Sequence, residues 1–249
     1  MNVRDILARE KIVIAHRGDS AYETENTLAA FISASKKGAH ILETDIHITK
    51  DRKVLIWHDD SFAGFPGGSA VPFREKNYRE IASESTDLTG QKVPLLTELL
   101  EEIPESCINI DLKDTVPDLA DLYTEILTRQ HAVERCITGS FHHKMLARFR
   151  SGLPQAVTSA SPREVISLLI AYATGVLRLA PSLSKTLLQV PEKQGIIRVI
   201  SPGFARLIAR KGGKIHVWTV NDADDMRRLY SWGVQGIVTD DPGLALSLL

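Results

Sequence analysis

Short runs of β-branched and apolar residues alternate with helical patterns along almost the whole chain, the signature of βαβ units wound around a parallel sheet. Residues 11–15 (Lys-Ile-Val-Ile-Ala) predict a first strand, and residues 28–37 a helix closed by Gly38. Residues 41–49 and 53–57 read as an extended pair joined by a turn at Lys50-Asp51-Arg52. Further strands are expected at 107–113, 136–139, 155–159, 187–190, 198–200, 214–220 and 236–239, with helices between most of them, including an amphipathic one at 119–130. The alternation suits a closed eight-fold α/β barrel, the TIM (β/α)8 fold, better than an open sheet. Residues 61–91, where Gly64, Pro66, Gly67, Gly68 and Pro72 crowd together, break the pattern and read as an irregular insertion or lid. No internal repeat or shift of composition divides the chain, so residues 1–249 are expected to form one domain.

Composition agrees with this picture and narrows the partners. The 249 residues are 43% hydrophobic and 24% charged, enough apolar content for a large core. Thirty Lys and Arg against 31 Asp and Glu give a net charge of −1, so no global basic footprint for nucleic acid or an anionic membrane is present. Cys107 and Cys136 lie inside apolar runs and are expected to be reduced and buried. Charges scattered through the first ten residues leave no room for a signal peptide, so a cytoplasmic location is expected. The longest apolar stretch, residues 165–177, is too short to span a bilayer and predicts a buried helix.

The chemistry gathers at the expected C-terminal ends of the strands, where barrels of this kind build active sites. The first strand runs into His16-Arg17-Gly18, and the second carries Glu43-Thr44-Asp45, whose two acids share a face because they are two apart. The strand after the turn ends in Trp57-His58-Asp59, and the next main strand in Asp111-Leu112-Lys113. Any one of these has a bland explanation as a solvated strand edge. Two histidines, three inward acids and two cations at one end of a barrel would leave charge uncompensated without a ligand, and together they read as a site. Glu43, Asp45 and Asp111 offer hard oxygen donors that suit Mg²⁺, Ca²⁺ or Mn²⁺, and no zinc motif occurs. His16 and His58 are then free for proton transfer, and a cation with Arg17 and Lys113 would receive a phosphate. The reaction class inferred from the residues is phosphoryl transfer or phosphodiester cleavage.

These residues resemble the glycerophosphodiester phosphodiesterases. The family's order of His-Arg-Gly, Glu-Asn-Thr, Glu-x-Asp, Thr-Lys-Asp and His-Asp is met by His16-Arg17-Gly18, Glu25-Asn26-Thr27, Glu43-Thr44-Asp45, Thr49-Lys50-Asp51 and His58-Asp59. The resemblance continues through residues 109–113, Ser140-Phe141, residues 217–222 and residues 233–242. It implies a metal-dependent barrel hydrolase that cleaves a small glycerophosphodiester to glycerol 3-phosphate and an alcohol. By the same resemblance His16 and His58 form the acid/base pair, Glu43, Asp45 and Asp111 hold one divalent cation, and Arg17 and Lys113 bind phosphate. The glycerol 2-hydroxyl is then the first nucleophile, giving a cyclic intermediate that water opens.

Two departures bear on specificity. Asp111 stands where many members carry Glu, and residues 61–69 (Ser-Phe-Ala-Gly-Phe-Pro-Gly-Gly-Ser) replace the usual Arg-Thr-Thr stretch. The second departure keeps open a lysophospholipase D-like or sphingomyelinase D-like activity, and a catalytically silent phosphodiester-binding barrel is the reading from another class. Trp218 is expected either to line the substrate pocket or to pack in the barrel. Asn221 is expected to cap a helix over 222–232, Glu25 to aid the site or start a helix, His47 to be a reserve ligand or a hydrogen-bonding residue, and His142-His143 to open a surface helix.

Overall fold

The computed structural model describes residues 2–180 and 182–249. The main sheet is made of β1 (Ile12–His16), β2 (Ile41–Ile48), β3 (Val54–Ile56), β4 (Cys107–Leu112), β5 (Cys136–Gly139), β6 (Val157–Thr158), β7 (Leu187–Pro191), β10 (Lys214–Trp218) and β11 (Gly236–Thr239). All but β3 run parallel and form the barrel in the spatial order β6-β5-β4-β2-β1-β11-β10-β7, with β3 antiparallel on the outer part of β2. The remaining pair, β8 (Lys193–Gln194) and β9 (Ile197–Arg198), makes a separate two-stranded hairpin. A hydrogen bond from Ala160 N to Leu187 O, 2.7 Å, joins the short β6 to β7 and closes the ring.

Strict alternation explains why each strand reads as a continuous apolar run and yet carries chemistry. Outward residues such as Val13, Leu42, Ile46, Ile108, Ile110, Leu188, Val190, Ile215 and Val217 are buried beneath the surrounding helices. Inward residues change character from one end of the barrel to the other. Ile12, Ile41, Cys107 and Leu187 fill the N-terminal end, which the helix Val3–Leu7 covers with Val3 and Ile6. Above them lie Asn109, Gln189 and His216, with Gln189 donating to Asn109 at 2.9 Å. Gly236 makes room for this layer, because a Cβ there would stand 2.4 Å from the His216 ring. Burial holds that imidazole neutral, its pKa pushed down to about 3. The inward residues nearest the C-terminal mouth are His16, Glu43, Asp45, Asp111 and Trp218, with Glu43 in register with Asn109 and Asp45 with Asp111.

Three expectations are corrected. Residues 61–91 are only half irregular: Phe73–Glu75 is a short 3₁₀ turn and Tyr78–Thr89 a twelve-residue helix. Asn77 and Glu80 form its capping box, and Gly90 ends it at φ 73°. The helix packs through Ile81 onto a small second core of Leu55, Trp57, Phe62, Phe73 and Val93, so the excursion is anchored on the β2–β3 side of the barrel. The apolar stretch 165–177 forms the helix Pro162–Ala173 and the turn after it, but Ile166, Ile170 and Val176 face solvent. Residues 198–200 are not a barrel strand, since Arg198 belongs to the hairpin β8–β9. Cys107 and Cys136 are buried and unpaired as expected, and among the described residues no helix is long and apolar enough to cross a membrane.

Candidate active site

The loop after β1 is built around two residues in the left-handed region, Arg17 (φ 55°) and Gly18 (φ 89°). Gly18 is required on two counts, because a Cβ there would also lie 2.7 Å from the Ala30 backbone. The turn brings Glu25-Asn26-Thr27 back onto it: Asn26 N donates to Arg17 O at 3.0 Å, and Asn26 accepts from Thr44 Oγ1 at 2.9 Å. Thr27 caps the helix Leu28–Lys37, which frees Glu25 to bind Arg17 Nη1 at 2.9 Å. Glu25 thus serves the site through Arg17 and does not start the helix.

Strand register sets His16 beside Glu43 and Asp45 beside Asp111. Burial, and then repulsion from Asp45, push the Glu43 carboxyl up to about 8. Its Oε2 accepts a bond of 3.2 Å from Arg17 N. Lys113 Nζ lies between the other two acids, 2.9 Å from Asp45 and 3.0 Å from Asp111. Burial opposes the Lys113 charge, but the two carboxylates outweigh it and raise its pKa. Burial also raises Asp111 despite the neighbouring ammonium. Asp45 Oδ2 is buried without a hydrogen bond, facing Arg17 Nε at 3.7 Å, which likewise has none.

Buried carboxylate oxygens, that of Asp45 without a hydrogen-bond partner, are the donor type a hard cation takes. Among the described residues no three His, Cys, Asp or Glu side chains stand close enough together to hold a metal as they are arranged, and Lys113 Nζ bridges Asp45 and Asp111. Glu43, Asp45 and Asp111 are the residues whose oxygens would suit a hard divalent cation, and for Asp111 to share one with Asp45 the Lys113 ammonium would have to turn away.

His16 is oriented by a residue that sequence reasoning did not single out. Its Nδ1 lies 2.6 Å from Asp240 Oδ1, at the end of β11, so the neutral ring carries its proton on Nδ1 and keeps the Nε2 lone pair free. Burial works against the imidazolium, but the acids around it, Asp240 foremost through its hydrogen bond, outweigh it and raise the His16 pKa. Asp240 is in turn held by Ser20 Oγ at 3.2 Å and Asn221 Nδ2 at 2.5 Å. Asn221 also accepts from Thr239 Oγ1 and Asp240 N, both at 2.9 Å, while Asp222 caps the helix Ala223–Ser231. The expected N-cap role therefore belongs to Asp222, and Asn221 locks the acid behind His16. Replacing Asp240 by Asn should lower the His16 pKa, moving whichever limb of the pH–rate profile His16 governs to lower pH. NMR titration of the ring checks this directly.

His58 sits on the far side of β2. Its Nδ1 is 2.7 Å from Asp59 Oδ1, and its side chain is partly exposed. Among the described residues no hydrogen bond or ion pair links it to Glu43, Asp45 or Asp111. Its backbone is what the barrel holds: Trp57 N donates to Asp45 O at 3.1 Å, and His58 O lies 3.1 Å from His47 Nε2. The other nitrogen of His47 is 3.0 Å from Asp114 Oδ1. His47 is thus a hydrogen-bonding strut between β2, the end of β4 and the His58 backbone. His47→Phe should lower kcat by about ten- to a hundred-fold through misplacement of His58, with little change in KM; steady-state kinetics separates the two constants.

Trp218 closes the mouth from β10, its ring edge-to-face with Phe141 at 6.1 Å, and Lys113 Nζ lies 5.6 Å above the Phe141 ring. Of the expected residues, His16, Arg17, Glu43, Asp45, Asp111 and Lys113 are brought together and Trp218 borders them, whereas the His58 ring is held by Asp59 after β3. The helix His143–Gly152 opens directly after His142, as its sequence suggested.

A (β/α)8 barrel whose C-terminal mouth holds a carboxylate-bound imidazole beside clustered acids and cations is the build of a barrel hydrolase. The pattern of the glycerophosphoryl diester phosphodiesterase family matches residues 16–244, and the chain belongs to that family. It is 30% identical to the "Probable glycerophosphodiester phosphodiesterase 2" of Mycobacterium tuberculosis, over 96% of this chain and 90% of that protein. It is 26% identical to the lysophospholipase D GDPD1 of Homo sapiens, over 92% of this chain and 83% of that one. A phosphodiesterase from Oleispira antarctica, solved in complex with the product sn-glycerol-3-phosphate, shares the fold with a TM-score of 0.76 at 22% identity, over 95% of this chain and 96% of that one.

Proposed function

We propose that the protein hydrolyses glycerophosphodiesters to sn-glycerol 3-phosphate and an alcohol, with His16 and His58 as the acid/base pair. The observation that carries this reading is the Asp240–His16 pair, which presents a free Nε2 beside the buried acids and the Arg17 and Lys113 cations. In the first step the glycerol 2-hydroxyl oxygen attacks phosphorus and one histidine takes its proton. The bond from phosphorus to the alcohol oxygen breaks, and the other histidine protonates the leaving alcohol. Water then opens the cyclic phosphate with the two roles exchanged. Arg17 and Lys113 balance charge on the phosphate oxygens, while Trp218 and Phe141 border the organic part of the substrate.

A divalent cation, Mg²⁺, Ca²⁺ or Mn²⁺, would be held by Glu43 and Asp45 with Asp111, and when bound it would neutralise the non-bridging oxygens. The test is release of glycerol 3-phosphate from glycerophosphocholine by purified protein, with and without a chelator. Activity is expected to fall to background on chelation and to return with one of these ions. Full activity in chelator would refute the carboxylate assignment.

A second reading, cleavage of a lysophospholipid or sphingolipid phosphodiester, is favoured by the apolar wall that Phe141 and Trp218 raise at the mouth and by the kinship with a lysophospholipase D. Lysophosphatidic acid or a stable cyclic phosphate as product would support it over the first. Binding of phosphodiester without turnover under any metal would leave the silent barrel.

A further inference from the structure

The hairpin β8–β9 contributes nothing to the barrel and little to its own stability, since an isolated two-stranded hairpin is marginal in water. It follows β7, and all barrel strands are parallel, so it stands at the same end as His16 and Asp45. Gly195 (φ 58°) makes its turn, and the turn and second strand then expose two neighbouring isoleucines, Ile196 at 103% and Ile197 at 64% of their full surface. Lys193 and Arg198 stand opposite each other in register, both exposed and with no side-chain hydrogen bond or ion pair among the described residues. Glu192, the acid next to Lys193 in the chain, is already taken by Arg228 in a two-pronged pair at 2.8 and 2.9 Å. Tyr22 after β1 and Phe141 after β5 add exposed aromatic surface on the same rim, at 68% and 58%.

An apolar tip between unpaired cations, carried on a projecting turn beside the site, has the chemistry of an interfacial anchor and not of a packing element. We propose that this hairpin docks the mouth of the barrel onto an anionic lipid surface, the isoleucines entering the headgroup boundary and Lys193 and Arg198 meeting lipid phosphates. The near-neutral net charge of the chain does not oppose this, because the cations are local. The proposal does not depend on which phosphodiester is cleaved, and its test needs no turnover.

Co-sedimentation with vesicles of phosphatidylcholine plus phosphatidylglycerol, against vesicles of phosphatidylcholine alone, reads it out. The full chain should pellet with the anionic vesicles and be released by added salt. The double variant Ile196→Asp with Ile197→Asp should weaken partition by about tenfold or more. Lys193→Gln and Arg198→Gln should each weaken it by about fivefold on anionic vesicles only. Thermal unfolding of all variants should match the parent, since these side chains are exposed. Absence of pelleting by the parent, or equal pelleting by the isoleucine variant, overturns the proposal. So does light scattering that finds a dimer abolished by Ile196→Asp, which would make a second copy of the chain the occupant.

Discussion

Replacement of His16 by Ala should lower kcat for glycerophosphodiester hydrolysis by about 10² to 10⁴-fold, the range expected for loss of one acid/base group, with the fold intact. The basis is positional. His16 is the last inward residue of β1, its Nδ1 is committed to Asp240, and only Nε2 can reach a substrate in the mouth. Removing the ring opens no hole in the packed part of the barrel, because the layer beneath is made by Asn109, Gln189 and His216. Asp240 keeps its bonds from Ser20 and Asn221, so the acid is not stranded. His58→Ala should cause a loss of similar size, and circular dichroism of both variants should overlay the parent. Activity of His16→Ala within tenfold of the parent would remove His16 from the chemistry.

The strand alternation made both the barrel and most of its mouth readable. Parity alone put Glu43, Asp45, Asp111 and His16 on inward positions, and the register of β1, β2 and β4 then set them side by side. Parity could not say that the flexible Lys113 side chain folds back to bridge Asp45 and Asp111, because that depends on the charge it meets and not on where its Cα lies. Asp240 was missed although its signal matched that of His16, a polar residue directly after a buried strand. Its neighbour Asn221 looked like a helix cap because Asn commonly is one, but the adjacent Asp222 competes for that role and wins it. The helix at Tyr78–Thr89 was hidden by its Ser, Thr and charged content and by the glycines before it, even though Asn77, Glu80 and Gly90 spell out its ends. Residues 198–200 read as a barrel strand because Arg198-Val199-Ile200 has strand composition, and local composition does not say which sheet a strand joins.

Glu43→Gln should separate function from stability more sharply than any other change in the mouth. In metal-free protein burial and the Asp45 charge raise the Glu43 pKa from its ordinary 4.5 to about 8, so the folded state holds a proton that the unfolded chain releases. The stability tied to that proton is fully present below 4.5 and is lost as the pH rises through about 8. At about 1.4 kcal/mol per pKa unit, the loss is on the order of a few kcal/mol. Glutamine copies the neutral carboxyl at every pH. In chelator, therefore, the variant should unfold at nearly the parent temperature at low pH and at a higher one at pH near 9. Activity should move the other way, with Glu43→Gln losing about a hundredfold or more in kcat, because a neutral amide cannot supply the negative oxygen a hard cation requires. Adding Mg²⁺ or Ca²⁺ should then raise the melting temperature of the parent more than that of the variant. Scanning calorimetry across pH, with chelator and with each ion, tests both halves, and equal pH dependence in the two proteins would contradict the raised Glu43 pKa.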